Sequence, residues 1–154
     1  MNMNDSVSDL IIAGFITLTL VITTVLVHFE GLRLISRRLS RNQTIRKHRK
    51  VLLAVLFRFL VHLCEISLYA FGIWFADVVV DVGNFAGARE GTLMDYLYFS
   101  AETFSSLGLG DIYPVGPLRL LVSIETLNGI LLMGWSASFT FLVMQRYWLG
   151  SPSN

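Results

Sequence analysis

The sequence predicts an all-α membrane protein, with three transmembrane helices and one shorter helix that enters the membrane and is followed by a loop. First, 54% of its 154 residues are hydrophobic and 15% are charged, which is too apolar for an ordinary soluble domain. Second, residues 10–29, 51–80 and 118–144 are each long enough to cross the roughly 30 Å hydrocarbon core of a bilayer. Third, a polar, glycine-containing stretch at residues 105–111 interrupts the apolar sequence.

The first apolar segment is expected to remain in the protein as a transmembrane helix. Asp5 and Asp9 precede it, no basic region does, and its apolar run is too long for the core of a signal peptide. The stretch that follows, RLISRRLSRNQTIRKHRK, carries eight of the twelve Lys and Arg residues. By the positive-inside rule this basic loop is cytoplasmic, which places the N-terminus outside and the C-terminus in the cytoplasm. Topology explains these charges more simply than a lipid-headgroup or regulatory role does.

Ionisable residues lie within the first two apolar segments. Arg58, His62 and Glu65 share one face of the second helix by helical periodicity. Folding the chain about the basic loop is expected to bring His28 near His62, and Glu30 near Arg58. Buried ionisable groups in membranes are candidates for function, so His28, His62 and Glu65 are a candidate metal or proton-sensing site. The simpler interpretation is a set of ion pairs and hydrogen bonds that docks the first helix.

The chain between the second and third apolar segments is predicted to enter the membrane and return. Asp95 is the expected N-cap of a helix over residues 95–105, which at about 1.5 Å per residue runs roughly 16 Å, half of a membrane. Residues 106–110 in extended form cover roughly 15 Å in the opposite direction. Non-helical backbone at that depth is tolerated only where it is buried in protein or lines water.

This returning loop has the features of a cation site. Gly108 and Gly110 alternate with leucine and permit dihedral angles that turn successive carbonyls to the same side. A column of carbonyl oxygens is a ligand set for a dehydrated cation. Ser106 adds a hydroxyl at the inner mouth, and the preceding helix directs its negative end toward the membrane centre. Both parts favour a cation.

The stretch YFSAETFSSLGLGDIYPVGPLRL resembles the pore loop of potassium channels, whose filter reads T-V-G-Y-G-D, and especially that of the bacterial two-transmembrane potassium channels. The resemblance covers roughly residues 55–145. Position by position it implies an ion-binding filter formed by Ser106, Leu107, Gly108, Leu109 and Gly110. Leu109 replaces the usual tyrosine. The resemblance therefore leaves two alternatives, a filter selective for K⁺ and a filter that also passes Na⁺.

The resemblance also implies roles for residues around the filter. Glu102 and Asp111 would support it, since Glu102 matches a pore-helix glutamate that in some of these channels shares a proton with the filter aspartate. Gly129 aligns with a hinge in the inner helix, with Gly134 as the alternative. Apolar residues with helical spacing would line the pore and form its gate. They are Ile130, Met133, Ala137 and Phe141.

One chain supplies too few carbonyls to replace a hydration shell, so closed cyclic symmetry is expected to supply the rest, and the resemblance implies four chains around a shared axis. Residues 1–50 would form an additional N-terminal transmembrane helix and the basic cytoplasmic loop. The pore domain would occupy residues 51–148, with the outer helix at 51–80, the pore helix at 95–105, the filter at 106–111 and the inner helix at 117–147, before a tail at 149–154. The homotetramer would lie in the plasma membrane, the inner membrane in a bacterium, among its lipids. No cofactor or nucleic acid is expected, K⁺ is the permeant ion, and an unknown regulatory subunit could set the gating.

Two other interpretations need consideration. Residues 108–111 also read G-x-G-D, a signature of intramembrane aspartyl proteases, in which two aspartates share a proton. Asp77 is the only other aspartate within a predicted helix, and it lies near the outer end of that helix. The chain has no proline-alanine-leucine motif and fewer helices than such proteases use. A pore-like subunit that has lost conduction is the second alternative.

Overall fold

The structure, a computed structural model, describes residues 3–42 and 44–149, so nearly all of the predicted tail at 149–154 lies outside it. Three of its helices are long and apolar enough to cross a membrane, which confirms the predicted all-α class. The long helices are α1 (Met3–Arg41), α2 (Lys47–Trp74) and α4 (Leu118–Met144), and α3 (Leu93–Phe104) is short. A π-helical turn follows α2 at Phe75–Val79 and another follows α4 at Gln145–Leu149. Two short strands are β1 (Asn84–Gly87) and β2 (Ile112–Val115).

Helix α1 is longer than the apolar run that predicted it. Its 39 residues correspond to about 58 Å, nearly twice the roughly 30 Å hydrocarbon core. Leucine and arginine are good helix formers and no glycine or proline occurs between Leu32 and Arg41, so the helix continues through the basic stretch. The expected basic loop is therefore mostly helical, and only a short turn separates α1 from α2.

Small residues allow α1 to pack closely on α2. A Cβ atom on Gly72 would lie 2.5 Å from Cδ1 of Leu20, and one on Gly31 would lie 2.8 Å from Cγ2 of Val61. Glycine at these positions brings the two backbones together, as in other membrane helix pairs.

Helix α3 begins two residues earlier than predicted, because Thr92 and not Asp95 is its N-cap. The Thr92 hydroxyl accepts a hydrogen bond from the Asp95 N–H, and the Asp95 carboxylate accepts one from the Thr92 N–H, forming a capping box. The backbone hydrogen bond from Thr92 lowers the pKa of Asp95. The 12 residues of α3 measure about 18 Å, so it has the half-membrane length that was predicted.

The main core surrounds α3 and joins it to α2 and α4. Its largest fully buried side chains come from all three helices. They are Tyr69, Ile73, Phe104, Leu118, Leu121 and Leu132. Packing against both long helices fixes the direction in which the C-terminal end of α3 points.

The two strands were not predicted from the sequence. They pair antiparallel, with Asn84 opposite Val115 and Gly87 opposite Ile112. Next to the pair, the Ala88 N–H donates to the Asp111 carbonyl at 2.9 Å. Gly87 has φ of +110°, and a Cβ there would lie 2.0 Å from the Asp111 carbonyl oxygen. The loop after α2 is thus joined to the chain immediately after residues 105–110.

Candidate functional site

The loop after α3 alternates its backbone conformation at every residue. Ser106, Gly108 and Gly110 have φ values of +61°, +55° and +79°, whereas Leu107 and Leu109 do not have positive φ. Glycine adopts this region without penalty, whereas serine does so at a cost that the surrounding structure must offset. The unusual glycine dihedrals expected from the sequence are confirmed.

Glu102 accepts hydrogen bonds from three backbone N–H groups of this loop. Its carboxylate Oε2 accepts a hydrogen bond from the Leu109 N–H at 2.9 Å. Its backbone carbonyl accepts from the Leu107 N–H at 2.8 Å and the Gly108 N–H at 3.4 Å. The Glu102 side chain is buried, with 4% of the residue exposed. Three consecutive N–H groups of the loop therefore point toward α3.

The direction of the carbonyl groups follows from that of the N–H groups. In a trans peptide the carbonyl of one residue points opposite to the N–H of the next, and no peptide bond among the described residues is cis. The carbonyls of Ser106, Leu107 and Gly108 therefore point away from α3. Residues 105–111 are all exposed in a single chain, which agrees with carbonyls that point away from α3.

The shared-proton pair implied for Glu102 and Asp111 does not form in the structure. Asp111 Oδ2 accepts from the Tyr98 hydroxyl at 3.1 Å, and Asp111 Oδ1 accepts from the Ile112 N–H at 3.0 Å. Within the described part of the chain no hydrogen bond joins the two carboxyl groups. The Glu102 carboxylate accepts a hydrogen bond from the backbone N–H of Leu109 instead. Tyr98 lies one turn before Glu102 on the same face of α3, a spacing that could have indicated its role.

Gly129 on α4 lies directly against the end of α3. A Cβ atom at Gly129 would lie 2.2 Å from the carbonyl oxygen of Phe104, whereas one at Gly134 would meet no atom within 4 Å. Helix α4 continues without interruption through both glycines. Close packing against α3 thus explains Gly129, and its use as a hinge stays a prediction.

The predicted pore-lining residues of α4 are mostly unpacked in a single chain. Ile130 and Phe141 are 49% and 58% exposed, and Ala137 is exposed as well. Met133 is half-buried and packs against the main core. Their role as pore lining or gate stays a prediction.

A buried polar cluster joins three helices on the side of α1. His28 Nδ1 lies 2.8 Å from Glu65 Oε1, and His62 Nδ1 lies 2.8 Å from Glu65 Oε2. His62 Nε2 lies 3.1 Å from the Ser136 hydroxyl on α4. His28 and Glu65 are completely buried. The expected approach of His28 to His62 is confirmed, and Ser136 is a partner that the sequence did not indicate.

Three hydrogen bonds hold this cluster together without a metal. An ionised Glu65 accepts one Nδ1–H from each histidine, and the Ser136 hydroxyl can donate to His62 Nε2. His28 Nε2 is buried without a hydrogen-bond partner among the described residues, so one polar atom of the cluster is left unsatisfied. The three ligand atoms lie within 4.8 Å of one another and are of types that zinc uses. A metal or proton-sensing role for His28, His62 and Glu65 stays a prediction.

The other expected ion pair does not form. Glu30 pairs with Arg33 at 2.8 Å on the exposed surface of α1. Arg58 is buried, and its guanidinium lies 5.6 Å from the centre of the Phe139 ring. Arg58 is buried on the same helix as Glu65, as helical periodicity predicted. Glu30 lies on the exposed surface of α1 and pairs with Arg33 instead.

Replacing Glu65 with alanine is expected to destabilise the protein strongly. It leaves the imidazole N–H groups of buried His28 and partly buried His62 without acceptors, at about 1–3 kcal/mol of unfolding free energy for His28 and less for His62. Thermal unfolding in detergent measures the loss. Glu30→Ala is the matched control, because its ion pair is exposed and is worth at most about 1 kcal/mol. Equal effects of the two substitutions would show that the buried cluster does not hold α1 in place.

Comparison with known proteins assigns the chain to a family. A family model described as ion channel matches residues 61–146, more than half of the sequence. The chain belongs to this ion channel family. It is a multi-pass membrane protein, and the resemblance to the potassium channel pore-domain family is confirmed. The family match begins within α2, so α1 lies outside the matched region.

One curated relative of this ion channel is the inward rectifier potassium channel Kirbac3.1 of Paramagnetospirillum magnetotacticum. The two are 38% identical over 60 residues, which are 38% of this chain and 20% of the relative. The chain therefore spans about a fifth of the relative's length. No solved structure matches the chain.

Membership of an ion channel family overturns the protease interpretation. The hydrogen bonds of the two aspartates also contradict it. The Asp77 carboxylate accepts hydrogen bonds from Tyr96 and Arg89, whereas Asp111 is bound by Tyr98. Burial, with the hydrogen bond to Asp77, raises the pKa of Tyr96 to about 12, so its hydroxyl remains a donor at ordinary pH. Each aspartate has its own partners, and the two are not a catalytic pair.

Proposed function

We propose that the chain is one subunit of a homotetrameric, passive, potassium-selective channel. The ions pass through a filter of backbone carbonyls from residues 106–110 of each subunit. The observation that carries the proposal is the binding of three loop N–H groups by Glu102, which turns the carbonyls of Ser106, Leu107 and Gly108 to the open side. Such oxygens replace the water that a cation loses on entering the pore.

The charge of the permeant ion follows from two features. The filter offers carbonyl oxygens, which attract cations and repel anions. Helix α3 ends at Phe104, immediately before the filter, so the negative end of its dipole lies beside the ion path. No cofactor enters this scheme, and K⁺ is the permeant ion.

Selectivity for K⁺ over Na⁺ rests on the resemblance to potassium channels and on the name of the relative. Gly108, Gly110 and Asp111 keep the filter pattern, whereas leucine at position 109 has no hydroxyl to brace the filter from behind. A channel that passes Na⁺ and K⁺ alike is the second candidate, favoured by Leu109.

Assembly into a tetramer is supported by the apolar surface that a single chain leaves open. Leu93 and Met94 on α3 are 67% and 68% exposed, and Leu107 and Leu109 in the filter are 64% and 60% exposed. Neighbouring copies would cover these side chains and close a ring around the carbonyls. A non-conducting partner subunit would share this surface, and an unknown regulatory subunit could act on the assembled channel.

The basic end of α1 and α2 supports the proposed orientation. By the positive-inside rule that end lies in the cytoplasm, the N-terminus lies outside and the C-terminus is cytoplasmic. The proposed location is the plasma membrane, the inner membrane in a bacterium. Ile130, Met133, Ala137 and Phe141 would then line the inner half of the pore, with Gly129 as the candidate hinge.

Selectivity is tested by reversal potentials of the purified protein in a planar bilayer with K⁺ on one side and Na⁺ on the other. We expect a reversal potential far from zero, with the sign of a permeability ratio that favours K⁺ over Na⁺. A potential near zero at equal concentrations would favour the non-selective channel, and no current would favour the non-conducting subunit.

A further inference from the structure

The turn between α1 and α2 carries positive charge that no acidic side chain neutralises among the described residues. No Asp or Glu occurs between residues 31 and 64. Five exposed arginines around the turn have no acidic partner within residues 3–42 and 44–149. They are Arg37, Arg38, Arg41, Arg46 and Arg49. The charge of these arginines must therefore be balanced by an anionic ligand or solvated by water.

An apolar groove opens beside this charge, between the basic ends of α1 and α2. Its floor is formed by aliphatic and aromatic side chains of both helices, with Arg38 and Asn42 at its edge. The floor residues are Ile35, Leu39, Ile45, Leu53, Leu56, Phe57 and Leu60.

Two polar depressions continue from this groove. One is lined by Arg37, Arg38 and Arg41, and the other by Arg46 and Arg49. All three depressions share Asn42, and both polar ones include Thr44, so they form one surface around the turn. The surface is apolar at one end and cationic at the other.

We propose that this groove binds one anionic phospholipid of the surrounding membrane. Its phosphate lies among the arginines at the turn, and an acyl chain lies along Leu53, Leu56 and Leu60. These three leucines are 42%, 53% and 59% exposed. They line the same groove as Arg38 of α1, so one molecule can contact both. Arginine binds phosphate oxygens through paired N–H groups.

The apolar floor distinguishes a lipid from other anions. Free phosphate would use the arginines and leave the floor uncovered. A soluble acidic protein would have to enter the membrane boundary to reach Leu60. The groove lies between the additional helix α1 and the first part of α2, on residues that precede position 61, where the family match begins. The proposal does not depend on ion conduction.

The test measures lipid binding to the full-length purified protein by native mass spectrometry in detergent, with phosphatidylglycerol and phosphatidylcholine as probes. We expect phosphatidylglycerol to bind at least tenfold more tightly. The double variant Arg38→Gln/Arg41→Gln leaves six of the eight basic residues of the stretch, so the topology signal is kept. A basic residue beside an anionic lipid surface is worth about fivefold in affinity, so the double variant should lose roughly 25-fold.

Two controls separate the outcomes. Arg146→Gln removes an exposed arginine from the π-helical turn after α4, outside the groove, and should leave the affinity unchanged. Soluble glycerol phosphate at the same concentration should not displace the lipid. Equal binding of the two lipids, an unchanged double variant, an equal loss in Arg146→Gln, or displacement by glycerol phosphate would each overturn the proposal.

Discussion

Replacing Gly129 with alanine is expected to abolish ion flux and to lower the stability of the protein. The new Cβ would lie 2.2 Å from the Phe104 carbonyl oxygen, a backbone atom that cannot move aside cheaply. Overpacking of this kind costs about 1–3 kcal/mol, which exceeds the roughly 1 kcal/mol that alanine gains over glycine in a helix. Because Phe104 ends the helix that carries the filter, the displacement reaches the filter directly. Thermal unfolding in detergent and K⁺ efflux from liposomes measure the two effects.

Gly134→Ala is the matched control for this substitution. It changes the same residue type in the same helix, but its Cβ meets no atom within 4 Å. We expect unchanged or slightly higher stability and retained flux. If Gly129→Ala were as stable as the wild type and altered only opening, the hinge role would explain Gly129 better than close packing does.

Replacing Glu102 with alanine is expected to eliminate K⁺ flux while leaving the chain folded. The substitution removes the acceptor of the Leu109 N–H, and an unpaired backbone donor costs about 1–3 kcal/mol. The peptide between Gly108 and Leu109 then has no contact that fixes its direction, and the Gly108 carbonyl can turn away from the ion path. Glu102→Gln keeps an oxygen acceptor and should retain measurable flux. K⁺ efflux from liposomes with matched protein content compares the three proteins.

Tyr98→Phe provides the control for the other filter contact. It deletes the 3.1 Å hydrogen bond to Asp111, which is exposed, and leaves the Glu102 contacts intact. We expect a small change in flux. If Glu102→Ala conducted like the wild type, the side chain of Glu102 would not hold the filter.

The helical part of the fold could be predicted because apolar length and caps are local properties. The outer helix, expected at 51–80, begins at Lys47 and ends in a π-helical turn, and the inner helix, expected at 117–147, also continues into such a turn. The N-cap of α3 was misplaced, since Thr92 and Asp95 are both capping residues and only the structure shows how they pair. The strands were missed because Asn84–Gly87 has two turn-forming residues in four and no alternating pattern.

The candidate site was predicted where residue type determines conformation and missed where contacts come from distant segments. Gly108 and Gly110 indicated the alternating backbone by themselves. The hydrogen bond from the Leu109 N–H to Glu102 depends on the angle at which the loop leaves α3, which the sequence does not specify. Antiparallel folding of α1 on α2 brought His28 and His62 together, but the register of α4 that adds Ser136 required three-dimensional packing.

The central claim is that backbone carbonyls of residues 106–108 bind the permeant cation. The most direct test is a structure of the assembled protein in Rb⁺ or Tl⁺, with anomalous scattering used to locate the ions. We expect four copies around one axis, with a row of ions on that axis in contact with the carbonyl oxygens of Ser106, Leu107 and Gly108. An axis without ions at these oxygens, or an assembly in which the carbonyls face protein, would contradict the account.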